Sequence, residues 1–177
     1  MFAKVSLTSQ MKQKAAAVAA AGSTMSFYSL SAIQNDGESI DMEKYRGRVV
    51  YATNVASKWG RTRREYAQFE RLGERWGDKL VIMAFPSREF GEQEFNDDAK
   101  ISEFANQKNF PGVLMKLGNI LGDGAPDVWK FFKSETGAED PTWNFKGKFL
   151  VSKTGSVSVP TNLERDIEAL MEEKGEE

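Results

Sequence analysis

Two stretches of the chain are almost continuously apolar: RVVYATNV (48–55) and KLVIMAFP (79–86), the second stopped by Pro86. Runs of this length and composition predict strands covered on both faces. Between them, TRREYAQFERLGERWG (62–77) places Tyr66, Phe69, Leu72 and Trp76 at helical spacing, with Thr62 available as a cap. NDDAKISEFANQ (96–107) predicts a second helix, with Asn96 as cap and Asp97 and Asp98 against its dipole. VLMKLG (113–118) reads as a short strand. APDVWKFFKSE (125–135) reads as a helix with Pro126 in its first turn and Val128, Trp129 and Phe132 inward. GKFLVSKTGSVSV (147–159) reads as a hairpin turning at 153–155. In TNLERDIEALMEE (161–173), Thr161 and Glu164 form a capping box ahead of a stripe of Leu163, Ile167, Leu170 and Met171. Upstream, NDG (35–37) signals a turn between short strand-like pieces. Strands alternate with helices and a hairpin and helix close the chain, which predicts an α/β layered fold around a mixed sheet.

Residues 1–25 break this pattern. They hold Lys4, Lys12 and Lys14, and no acidic residue precedes Asp36. Ala, Ser and Thr are frequent, as in organelle-targeting segments, although arginine is missing. The apolar run 15–21 is alanine-dominated and too short to span a bilayer. The segment therefore reads as an N-terminal extension, either targeting or partner-anchoring, ahead of one domain over 26–177. An anchoring role would use Phe2 with Lys4, Lys12 and Lys14, and a targeting role points to a mitochondrion or plastid, with the cytoplasm left open.

Composition sharpens the chemistry. The chain has 24 Lys and Arg against 26 Asp and Glu, a net charge of −2, which argues against a general nucleic-acid binder. It contains neither cysteine nor histidine. Disulfides, thiolate nucleophiles and iron–sulfur clusters are thereby excluded, as is an ordinary structural zinc site. The usual general base near neutral pH is missing too. No metal and no cofactor is expected.

Three ordered segments carry a resemblance. NVASKWG (54–60) resembles the nucleophile motif of the glutathione peroxidase family, LVIMAFPSREFGEQE (80–94) its second signature, and WNFKGKFLVSKTG (143–155) its Trp-Asn-Phe segment. The resemblance covers 26–173 and implies a thioredoxin-like fold, a central mixed sheet flanked by helices. The family reduces hydroperoxides through a cysteine or selenocysteine supported by a glutamine, a tryptophan and an asparagine. By that resemblance the nucleophile position is Trp59, the glutamine position Glu89, and the tryptophan and asparagine are Trp143 and Asn144. A family cysteine falls at Ser87. An indole offers one N–H donor and cannot pass through a sulfenic acid. An ionised Glu89 would accept where the family donates, and would oppose a thiolate.

The reading favoured by the sequence is a non-catalytic peroxidase-like protein, a structural or binding subunit of a larger assembly that includes other protein chains and associates at most peripherally with a membrane. Its alternative is altered oxidoreductase chemistry at Glu89, Trp143 and Asn144, with Ser87 as a weak further candidate. Trp143 and Asn144 are read first as packing residues. Trp59 either fills the vacated site or anchors a partner. Arg61 and Arg64 share a helix face, which is either a solvated surface or a docking patch beside Trp59.

Overall fold

The computed structural model describes residues 25–175. The expectations for Phe2, Lys4, Lys12 and Lys14 lie outside the described residues. The described chain runs through β1 (Ser31–Ile33), β2 (Ser39–Asp41), β3 (Val49–Val55), α1 (Thr62–Trp76), β4 (Leu80–Pro86), α2 (Asp98–Gln107), β5 (Val113–Leu114), α3 (Asp127–Thr136), β6 (Lys148–Val151), β7 (Val157–Ser158) and α4 (Leu163–Glu172).

The main sheet has the order β5-β4-β3-β6-β7. β3 pairs in parallel with β4, and β4 with β5. β3 pairs antiparallel with β6, and β6 with β7. β3 and β4 occupy the centre and are buried along their whole length, which is why both read as unbroken apolar runs. Alternate residues supply two cores. Val50, Ala52, Val81, Met83 and Phe85 face one side, under α3 and the β1–β2 hairpin region. Val49, Tyr51, Ile82 and Ala84 face the other, under Tyr66, Phe69 and Leu72 of α1, Ala105 of α2 and Ile167 of α4. Each fully buried large side chain contributes roughly 1.5–3 kcal/mol of transfer free energy.

The elements follow the periodicity, but several ends differ from expectation. Thr62 does not cap α1. Arg61 holds that position without a side-chain bond, while the Thr62 hydroxyl donates to the Ala56 carbonyl at 2.6 Å. The buried carbonyl at the end of β3 outcompetes the helix amide for it. The cap of α2 is Asp97, not Asn96; its carboxylate accepts from the Ala99 amide at 2.8 Å. Asp98 turns to the Leu117 amide and the Asn35 side chain. α4 is capped by Asn162, not Thr161, and Asp166, rather than Glu164, accepts from the Thr161 and Asn162 amides. Pro126 sits at the cap of α3, one residue before its first turn. The 113–118 strand shrinks to Val113–Leu114 with a single bridge from Met115 to Gln34. The Lys116 amide goes to the Ile33 carbonyl and the Gly118 amide to Pro86, so the backbone leaves the sheet there.

Candidate functional site

The site is built where β3 and β4 end side by side. In an α/β sheet the loops beyond the C-terminal strand ends converge on such a crevice. The loop after β3 is tightly held. The Ser57 amide donates to Glu94 Oε1 at 3.1 Å, the Lys58 amide to the Gln93 carbonyl at 2.8 Å and the Thr62 amide to the Trp59 carbonyl at 3.0 Å. Trp59 is half-buried, its indole stacked on Phe145 with centroids 5.6 Å apart and planes 20° apart.

The loop after β4 is organised by two carboxylates. Glu89 Oε1 accepts from the Ser87 hydroxyl at 3.1 Å, from the Leu121 amide at 3.2 Å and from the Ile120 amide. Glu89 therefore pins the 118–122 turn. Glu94 is buried and bridges both loops, since its Oε1 also accepts from the Phe95 amide at 2.9 Å. Burial pushes the Glu94 carboxyl above its ordinary range, and the Ser57 and Phe95 donors and Lys58 offset only part of that. Burial likewise raises the Tyr66 phenol, with the nearby Glu94 charge adding to it.

The third segment crosses from the β6 side. Asn144 is buried and its side-chain amide donates to Gln93 Oε1 at 2.8 Å. Trp143 is 37% exposed and meets Phe90 edge-on at 6.1 Å. Asn54, at the end of β3, clamps this segment: it donates to the Trp143 carbonyl at 3.0 Å and accepts from the Gly147 amide at 2.8 Å. A Cβ on Gly147 would lie 2.7 Å from the Trp129 ring and 3.0 Å from Asn54 Oδ1, so only glycine lets the backbone approach.

Of the five positions marked by the resemblance, Ser87 and Glu89 share a hydrogen bond, while Trp59 and Asn144 are linked only through Phe145, the residue after Asn144. Among the described residues, no hydrogen bond or ring contact joins Trp59 to Glu89, Trp143 or Asn144. Trp59 neither fills a closed pocket nor stands free; it is shelved on Phe145 with part of its ring accessible. Arg61 and Arg64 do line one cleft beside it. Sequence reasoning missed Asn54, Gln93 and Glu94, which hold the three segments together. The available signal was Asn54, a side-chain amide inside a largely apolar central strand, since buried polar groups are retained where they are hydrogen-bonded.

The layout of this sheet is that of thioredoxin-like proteins. A thiol:disulfide interchange protein of the thioredoxin family from Chlorobium tepidum TLS superposes with a TM-score of 0.60 over 83% of this chain and 96% of its own, at 12% identity. The structure titled Trgpx in apo form superposes with a TM-score of 0.65 over 86% of this chain and all of that one, at 24% identity. Within that class, the glutathione peroxidase family model matches residues 27–133. Glutathione peroxidase-like peroxiredoxin gpx1 of Schizosaccharomyces pombe is 38% identical over 160 residues, covering 82% of this chain and 98% of the relative. Glutathione peroxidase 1, mitochondrial, of Chlamydomonas reinhardtii is 40% identical over 140 residues, covering 76% and 69%. The chain belongs to the glutathione peroxidase family.

Proposed function

We propose that this chain is a non-catalytic member of the family, acting as a structural or binding subunit of a larger protein assembly. The observation that carries the reading is Trp59. The position matching the family's nucleophile holds an indole stacked on Phe145, and the chain has no cysteine to take its place. Peroxide reduction by this route needs a thiolate or selenolate that is oxidised and then restored by thiols. A displaced acid–base centre gains little support: Glu89 commits one carboxylate oxygen to the Ile120 and Leu121 amides and to Ser87. Trp143 and Asn144 act here as packing and bridging residues.

In this reading residues 1–25 are an extension that targets the chain or anchors it, through Phe2, Lys4, Lys12 and Lys14, and residues 26–177 are the peroxidase-like domain. The assembly is organellar, in a mitochondrion or plastid; the mitochondrial designation of the algal relative favours this weakly. No helix of the described residues is long and apolar enough to cross a membrane, which accords with peripheral association.

The test is enzymatic and biochemical together. Purified full-length protein should reduce neither hydrogen peroxide nor lipid hydroperoxides with glutathione or thioredoxin as donor, and tagged protein should co-purify with other chains from its native source. Turnover clearly above a no-protein control overturns the non-catalytic reading. A chain that elutes alone, at monomer size, from gentle extracts overturns the subunit reading.

A further inference from the structure

The outer face of α1 has no structural account so far. Arg61, Arg64, Gln68 and Arg71 recur at helical spacing and line one cleft of about 340 Å³, with Trp59 at its head. Lys146 and Lys148 line it from the approach to β6. Lys148 is accounted for internally: its ammonium lies 3.5 Å from the Glu65 carboxylate and donates to the Tyr51 hydroxyl at 3.0 Å. Burial opposes that charge, but these two neighbours outweigh it and raise the Lys148 pKa. Arg61, Arg64, Arg71 and Lys146 make no ion pair or hydrogen bond through their side chains among the described residues. The cleft thus carries an excess of four positive charges on a chain whose net charge is −2.

This placement works against stability. Arg61 and Arg64 stand at the amino end of a 15-residue helix, where the macrodipole is positive and cations are disfavoured. They also repel one another along the same helix face. Glu65, the acidic residue of that first turn, is engaged with Lys148, and among the described residues no carboxylate pairs with Arg61 or Arg64; a local rule broken with so little internal compensation marks a site made for something else.

The geometry selects the occupant. Arg61 and Arg71 are ten residues apart, about 15 Å along the helix axis. A single phosphate or carboxylate group is too small to engage the whole row. An extended peptide advances about 3.3 Å per residue, so roughly five residues span the row and alternate side chains point to the same edge. The partly exposed indole of Trp59, backed by Phe145, supplies a flat apolar seat at one end, the kind of surface on which interface anchors settle. A membrane fits less well: among the described residues the exposed large apolar side chains are Met25, Ile33, Trp143 and Val159, and none of them lines the cleft.

We propose that this cleft docks an extended acidic segment of another protein, with alternate carboxylates on Arg64, Arg71 and Lys146 and an apolar residue on Trp59. The inference rests on reading the chain as a binding subunit, and it names the chemistry of the partner. The experiment is fluorescence anisotropy of the full-length chain with a labelled peptide of alternating glutamates carrying one phenylalanine. Binding should weaken steeply with added salt. Arg64→Ala and Arg71→Ala should each weaken it about threefold to tenfold. The double reversal Arg64→Glu with Arg71→Glu should abolish it, and Trp59→Ala should weaken it without changing the salt slope. Lys130→Ala, an exposed cation of α3 outside the cleft, should leave it unchanged. Arg64 and Arg71 are exposed, so their variants should fold and melt no lower than the wild type; Lys146→Ala checks the cleft independently of Trp59. The proposal is overturned by absence of peptide binding, by binding that survives the double reversal, or by binding only to phosphatidylserine vesicles. Failure to bind peptide by a chain that still lacks peroxidase turnover and co-purifies with its assembly sinks the docking site and leaves the subunit reading standing. Peptide binding by a chain that also turns over peroxide sinks the non-catalytic reading instead.

Discussion

Two loops leave the adjacent ends of β3 and β4, and they treat charge in opposite ways. The loop after β4 uses its carboxylates as structural ties: Glu89 holds the 120–121 amides and Glu94 the Ser57 and Phe95 amides. The loop after β3 leads into arginines that tie nothing down among the described residues. Both loops sit at the same end of the parallel strands β3 and β4, so the difference is not one of position in the fold. Charges that satisfy buried and half-buried amides belong to the architecture, because removing them leaves donors without their acceptor. Charges gathered without partners, at a helix end that disfavours them, point outward to a ligand.

The comparison can be broken at three strengths. The largest effect should come from Glu94→Ala, which leaves the Ser57 and Phe95 amides without their acceptor and opens a gap between the loops; equilibrium urea unfolding should show a loss of about 2–4 kcal/mol. A loss within 0.5 kcal/mol, the range of an ordinary surface change, would demote Glu94 from tie to bystander.

A smaller effect is written in pH. Burial raises the Glu94 carboxyl above 4.5, so the folded protein holds that proton more tightly than the unfolded chain. The stability this provides is complete below the unfolded value of 4.5 and is lost as pH rises through the higher native value. Glu94→Gln keeps an acceptor for the two amides and does not titrate. The stability of the wild type relative to this variant should therefore fall as pH increases from below 4.5, then level off. A flat difference, or one that rises with pH, would show that burial does not govern this carboxyl.

The smallest effect should have the opposite sign. Arg64→Glu replaces a cation by an anion in the first turn of α1, so thermal and urea unfolding should show a gain of about 0.3–1 kcal/mol at low ionic strength, shrinking with added salt. A clear destabilisation would mean that Arg64 has a structural role, and would remove the argument that the cleft is strained for the sake of a ligand.

The layout of strands and helices was legible from local order, because a strand buried on both faces and a helix buried on one have different periods. β3, β4, α1, α3 and the stripe on α4 follow directly from RVVYATNV, KLVIMAFP and the recurrences of Tyr66, Phe132 and Ile167. Helix ends were less legible. Thr62, Asn96 and Thr161 are each a sound cap by type, yet a neighbour took the position, and for Thr62 the Ala56 carbonyl took the hydroxyl; that competition is settled by where the backbone is placed. The substitution at Trp59 was also visible, since the absence of cysteine is a property of composition alone.

What the chain order could not contain is proximity. Glu89 and Ile120 are 31 residues apart, and Asn54 and Gly147 are 93 apart; only the packed sheet brings each pair within hydrogen-bonding reach. The same holds for the cations of the cleft. Arg61 and Arg64 share a helix face by local geometry, but Lys146 joins them because β6 runs antiparallel beside β3 and sets the start of β6 near α1. Identity and period fix what each residue can do, whereas the sheet register decides which residues do it together, because electrostatic and hydrogen-bond energies fall off over distances that no sequence spacing records.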